Sequence, residues 1–155
     1  GDDLVEEAFA GLTLPGRAEV VCHHPLVIFD GAHNVDAAEA LATTLEDEFT
    51  PIGSRVLVLG VLAGRRPAEL VAAFTAARFD TIVCTTPPSP RALPAAELAA
   101  AVRAAGYDPE VVDDPEQAIT SVLRHVGDDD LVVVAGSFYL APPARAAFAT
   151  VLPAP

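Results

Sequence analysis

One pattern recurs along this chain: a short run of apolar, largely β-branched residues, a break at glycine or a small polar residue, then an amphipathic segment. The runs are Leu26–Phe29, Arg55–Gly60, Phe79–Cys84, Glu110–Val112 and Leu131–Ala135. The long runs are continuous rather than alternating, as strands are when a parallel sheet is covered on both faces. The segments between them predict helices over Val35–Phe49, Pro67–Ala77, Pro94–Ala105, Pro115–His125 and much of Pro143–Leu152. Pro67 suits a first helical turn and Gly106 closes the helix before it. Arg17–His24 alternates instead, and Pro25 leaves too short a link to the next run for a parallel crossover. It is predicted to be an antiparallel edge strand. The whole predicts an α/β fold of three layers, helix on sheet on helix, with a mostly parallel sheet of about six strands.

Length and charge narrow what such a fold can do. At 155 residues the chain reads as one domain with a sizeable core. Residues 1–16 read as an acidic lead-in, with a helix over Asp2–Phe9 and Pro15-Gly16 as loop punctuation. No apolar run nears the roughly 18 residues of a membrane span, and no signal-like segment opens the chain, so the reading is cytoplasmic. The net charge is -13, which argues against nucleic acid or an anionic membrane as partner. All 9 basic residues are arginine. Without lysine there is no P-loop and no Schiff base. Cys22 and Cys84 read as reduced thiols, with a disulfide as the alternative.

The strand ends carry the chemistry. Asp30-Gly31, Gly60, Thr85-Thr86 and Gly136-Ser137 all fall at the carboxyl edge of the predicted sheet, where ligands of open α/β sheets sit. Val27-Ile28-Phe29-Asp30-Gly31-Ala32-His33-Asn34 stands out: strand, tight loop, then Asn34 as cap of a helix whose N-terminus favours anionic groups. Asp30, His33 and Asn34 are expected to be exposed at that junction. The other edge loops add Arg65 and Arg66, Ser89 and Arg91, and Ser137 and Tyr139. Each could be a cap or a solvated loop residue; their convergence on one edge favours a site. No strand is followed by G-x-G-x-x-G, Ser137 lacks the G-x-S-x-G elbow, and His23, His24, His33 and His125 lack metal-ligand spacing, so no metal site is expected. His125 is simplest as a partner of its helix dipole.

Five segments in order resemble the C-terminal domain of folylpolyglutamate synthase/dihydrofolate synthase, in the Mur ligase superfamily. They are Leu14-Pro15-Gly16-Arg17, Asp30-Gly31-Ala32-His33-Asn34, Gly60-Val61-Leu62-Ala63, Ser89-Pro90-Arg91-Ala92-Leu93-Pro94 and Gly136-Ser137-Phe138-Tyr139-Leu140. The resemblance implies a Rossmann-like domain over 17–155, with 1–16 as lead-in and interdomain linker. It implies part of an ATP-dependent ligase that adds L-glutamate to folate or dihydropteroate through an acyl phosphate. ATP and Mg²⁺ would be held mainly by an N-terminal P-loop domain, so this chain alone should be inactive. Carried over by position, Asp30 would bind the ribose, and His33 and Asn34 would reach the nucleotide, with His33 as the catalytic candidate. Arg17 would approach the phosphates. Ser137 and Tyr139 would hold the glutamate, with Ser89 and Arg91 lining the same cleft. Family members commonly read alanine-aspartate-lysine-aspartate where this chain has Ala63-Gly64-Arg65-Arg66. Arg65 keeps the positive charge at the lysine position, so a substrate-binding part falls to it, and the amino-acid site is where the chain departs from the family. A cell-wall Mur-type ligase domain is the nearest alternative. A stand-alone, non-catalytic ligand-binding domain is the alternative of another class.

Overall fold

In the computed structural model, residues 18–50, 52–64 and 66–153 are described. Arg17 and Arg65, the segment Leu14–Arg17 and the predicted lead-in helix therefore lie outside the described residues. Within them the strands are β1 (Glu19–His23), β2 (Leu26–Asp30), β3 (Arg55–Leu59), β4 (Thr81–Cys84), β5 (Glu110–Val111) and β6 (Leu131–Ala135). The helices are α1 (Val35–Glu48), α2 (Pro67–Phe74), α3 (Ala95–Ala104), α4 (Pro115–His125) and α5 (Ala141–Val151). One 3-10 turn, Phe138–Leu140, joins β6 to α5.

The sheet order is β1-β2-β6-β3-β4-β5. Every neighbour pair is parallel except β1 with β2, so the first strand is the antiparallel edge that its short link required. Side chains of period two divide the core into two layers. Ile28, Leu57, Leu59, Ile82, Leu131 and Val133 pack under α1, α2 and α3. Val27, Phe29, Val58, Val83, Val132 and Val134 pack under α4 and α5. Both faces are dry, which is why the strands read as continuous apolar runs.

Boundaries moved where local chemistry intervenes. Helix α2 ends at Phe74, and the Thr75 amide and hydroxyl both donate to the Val71 carbonyl, at 2.9 and 2.7 Å. A bulge between Val20 and Cys22 breaks the alternation predicted for β1 and leaves Glu19 and Val20 both buried. The predicted final helix begins earlier, at Ala141, with prolines in its first turn where no amide donor is needed. His125 accepts its place at the end of α4, its Nδ1 lying 2.6 Å from the Ser121 carbonyl. Cys22 and Cys84 are both free thiols. Burial pushes the Cys84 thiol up to about 11, against the opposing pull of the Arg103 charge.

Strand β6 occupies the centre. Its carboxyl end leads to the α4/α5 face, whereas β2 and β3 on either side lead to the α1–α3 face. Loops leaving neighbouring strands in opposite directions open a crevice between them, so a switch point flanks Gly136-Ser137 on each side.

Candidate functional site

Register aligns Asp30 and Leu59 with Ala135, and Cys84 with Leu59. The next residue of each strand, Gly31, Gly136, Gly60 and Thr85, therefore forms a row along the carboxyl edge. Gly136 has φ +116, and a Cβ on it would run into the Gly60 carbonyl. Gly60 in turn donates its amide to Ala135 at 3.2 Å. The three glycines lie side by side and are all buried, with the Phe138 ring over Gly31, Thr85 and Pro87 over Gly60, and Gly136 against the Gly60 carbonyl, so their lack of a Cβ lets the strand ends and loops pack closely.

The β2 corner is built from side chains that bind backbone. Asp30 was expected to be exposed; it is 6% exposed. Its Oδ1 accepts the Ala32 amide and its Oδ2 the Ala18 amide, each at 2.7 Å. Ala18 has φ 49, a left-handed conformation unusual for a residue with a Cβ. The buried carboxylate thus ties the start of β1 to the loop after β2, and burying a carboxylate is tolerable only with such partners. Asn34 is exposed as expected, but its Oδ1 accepts the Ala37 amide at 2.8 Å as the cap of α1. His33 is half-buried, with Nδ1 3.1 Å from the Gly31 carbonyl.

The β6 loop meets this corner. Ser137 is buried, and its Oγ accepts the Tyr139 amide at 3.1 Å, which shapes the 3-10 turn. Phe138 and Tyr139 are left 47% and 44% exposed. The Phe138 ring lies directly on Gly31, where a Cβ would collide with it. Its centroid is 6.1 Å from that of His33, at an interplanar angle of 57°. The structure therefore brings Asp30, His33 and Asn34 together with Ser137 and Tyr139, and it adds Phe138, which sequence reasoning did not assign to the site. Two consecutive aromatics just past a strand end were the available signal.

The remaining residues sit on the β3/β4 side. The loops after these strands are zipped by backbone: Ala63 donates to the Arg91 carbonyl at 2.7 Å and Leu93 to the Val61 carbonyl at 3.0 Å. Ser89 Oγ accepts the Arg91 amide at 3.2 Å, so Ser89 shapes its turn and the Arg91 side chain points out, exposed. Arg66 precedes α2 and pairs with Glu69 at 3.1 Å, both well exposed. Thr86 links the neighbouring helix: its Oγ1 accepts the Ala95 amide at 2.9 Å and donates to Asp113 at 3.2 Å. Among the described residues no group of three His, Cys, Asp or Glu side chains could hold a metal ion. No described helix is long and apolar enough to cross a membrane.

Comparison with known proteins agrees with this fold. The family model for the Mur ligase, glutamate ligase domain matches residues 16–138. Folylpolyglutamate synthase of Lacticaseibacillus casei is 32% identical over 142 residues, which is 91% of this chain and 31% of that protein. Folylpolyglutamate synthase of Mycobacterium tuberculosis, solved with ADP and AMPPCP, superposes with TM-score 0.76 at 35% identity, covering 90% of this chain and 33% of that one. A bifunctional folylpolyglutamate synthase/dihydrofolate synthase solved with Mn, AMPPNP and L-glutamate gives TM-score 0.78 at 31% identity, over 88% and 32% of the two chains. The chain spans about a third of the length of the relatives it matches.

Proposed function

The chain belongs to the Mur ligase, glutamate ligase domain family, and from that premise we propose that it is the C-terminal domain of an ATP-dependent ligase joining L-glutamate to a folate or dihydropteroate. The observation that carries the reading is the meeting of the Asp30–Asn34 loop with the Gly136–Tyr139 loop across the β2/β6 switch point. Residues over a hundred positions apart form one half of a crevice suited to a nucleotide and an amino acid.

The site fits a nucleotide in two respects. The first turn of α1 offers the amides that Asn34 does not cap to an anion, and Phe138 and Tyr139 present exposed ring surface. It does not fit a metal, so in this reading Mg²⁺ belongs to the phosphates and to a P-loop domain outside this sequence. ATP supplies a phosphoryl group that activates the acceptor carboxylate. This chain's residues bind and orient. Asp30 shapes the loop first, and its ribose contact shares the carboxylate with the two amides it already accepts. Ser137 is too buried to meet glutamate broadly; it holds the turn that presents Tyr139 to the amino acid. His33 faces the nucleotide beside Phe138. Arg91 serves the far wall of the cleft, Arg65 takes a substrate-binding part, and Arg17 reaches the phosphates when the domains close.

Phosphate release by the natural gene product tests the reading, with dihydropteroate or tetrahydrofolate as acceptor and glutamate as amine. Turnover that needs ATP, acceptor and glutamate together is expected, and none from residues 1–155 alone. Turnover with another amine but not glutamate would overturn the substrate and point to Arg65 and Arg66. A folded product silent with every amine would favour a non-catalytic binding domain.

A further inference from the structure

We propose that Phe138 is a positioning residue that clamps His33 in one tautomer, with the proton on Nδ1 and the Nε2 lone pair turned to the ligand. Three observations meet here. Nδ1 of His33 is 3.1 Å from the Gly31 carbonyl, and a carbonyl only accepts, so Nδ1 carries the hydrogen. In a neutral imidazole this leaves Nε2 as an acceptor. The Phe138 ring packs on Gly31, the residue that supplies that carbonyl, and stands against the imidazole. Gly31 carries no left-handed backbone among the described positive-φ residues. Its lack of a Cβ is therefore a requirement of the ring above it rather than of its own conformation.

The chemistry follows from the tautomer. A neutral His33 held this way offers no N–H at Nε2 to a phosphate oxygen. It takes a hydrogen-bond donor: a sugar hydroxyl or an ammonium group. The ligand that supplies the donor rests on the ligase reading above, whereas the clamp itself does not. Phe138 keeps nearly half its surface in solvent although it sits at the centre of the crevice, consistent with one ring face on Gly31 and another toward whatever binds.

Nitrogen-resolved NMR of the imidazole tests this in the chain without ligand, at alkaline pH, with His33→Gln assigning the signal. The expected wild-type spectrum has the proton on Nδ1. Phe138→Ala should lose that preference and Phe138→Tyr, which keeps the ring, should restore it. Gly31→Ala should mimic Phe138→Ala by pushing the ring away, and the double variant should be no worse than Phe138→Ala alone. Gly31→Ala also keeps the test open if Phe138→Ala fails to fold. A wild-type proton on Nε2, or a tautomer unmoved by both Phe138→Ala and Gly31→Ala, would overturn the clamp. Adding ATP and then L-glutamate separates the two readings. A shift of Nε2 with ATP assigns the donor to the sugar, and a shift with glutamate assigns it to the ammonium. These additions are made to the natural gene product, which carries the rest of the ligase, and there a standing clamp with no shift under either overturns the ligase reading at this corner and leaves the clamp intact.

Discussion

The two halves of the carboxyl edge are held by different groups. At the β2/β6 corner side chains bind backbone: Asp30 grips Ala18 and Ala32, Asn34 caps α1, and Ser137 forms its own turn. At the β3/β4 corner backbone also zips to backbone across the loops, from Ala63 to Arg91 and from Leu93 to Val61, with hydroxyls of Ser89 and Thr86 adding to it, and Arg66 and Arg91 are left in solvent. The first corner depends on residue identity because each side chain is a structural part. The second leans on its main-chain zipper and on small hydroxyls, and its exposed arginines take no part in holding it, with Gly64 and Arg66 at its border.

Variants can break this contrast. Gly136→Ala should have the largest effect, on the order of 4 kcal/mol, since it combines a positive φ with a Cβ driven into the Gly60 carbonyl. A thermal melt would show a midpoint lower by roughly ten degrees. Asp30→Ala comes next at about 2–3 kcal/mol, because it strands two amides that a charged acceptor satisfied. Denaturant unfolding reads both, and an Asp30→Ala loss as small as that of Arg91→Ala would erase the distinction between the corners.

Cys84 makes a test at the end of β4. Its folded-state thiol titrates near 11 rather than its ordinary 9.0, so the folded chain holds the proton more tightly than the unfolded chain does. That contribution is complete below pH 9 and is lost as pH rises through 11, on the order of 2 kcal/mol. Alkaline unfolding of wild type against Cys84→Ala should show a steeper loss in the wild type; parallel curves would contradict the raised value. Asn34→Ala should remove about 1 kcal/mol with its cap. Arg66→Ala, at an exposed ion pair, should change stability by less than about 0.5 kcal/mol. In the full ligase, Arg65→Ala should raise the KM for the amino acid more than that for ATP. The reverse pattern would move Arg65 to the nucleotide.

The sequence carried the frame of this fold for a physical reason. A strand buried on both faces must be apolar at every position, and Leu57, Val58, Val132 and Val133 advertise that without reference to any neighbour. The Pro25 link likewise dictated the antiparallel edge. The site was legible as a set of strand ends but not as contacts. Asp30 looks like a free carboxylate until the start of β1 is folded back beside it, and its partner Ala18 is made a partner only by the β1/β2 pairing. Phe138 looks like one more aromatic until β6 is inserted next to β2 and its ring lands on Gly31. Sheet order, a long-range property, decides both. The cap at Asn34 is local, and it was read correctly from the sequence.

The position of β6 also sets a timetable. It is the last strand in the sequence, yet it pairs with both β2 and β3, which have no ladder with each other. During synthesis the growing chain holds two separate half-sheets, β1-β2 and β3-β4-β5, with open edges facing an empty slot until residues 131–135 leave the ribosome. Those two edges are the surfaces most open to pairing with another chain in the interval. The domain can close only once β6 has arrived, so a chain stopped after His125 would contain five strands with no ladder joining β1-β2 to β3-β4-β5.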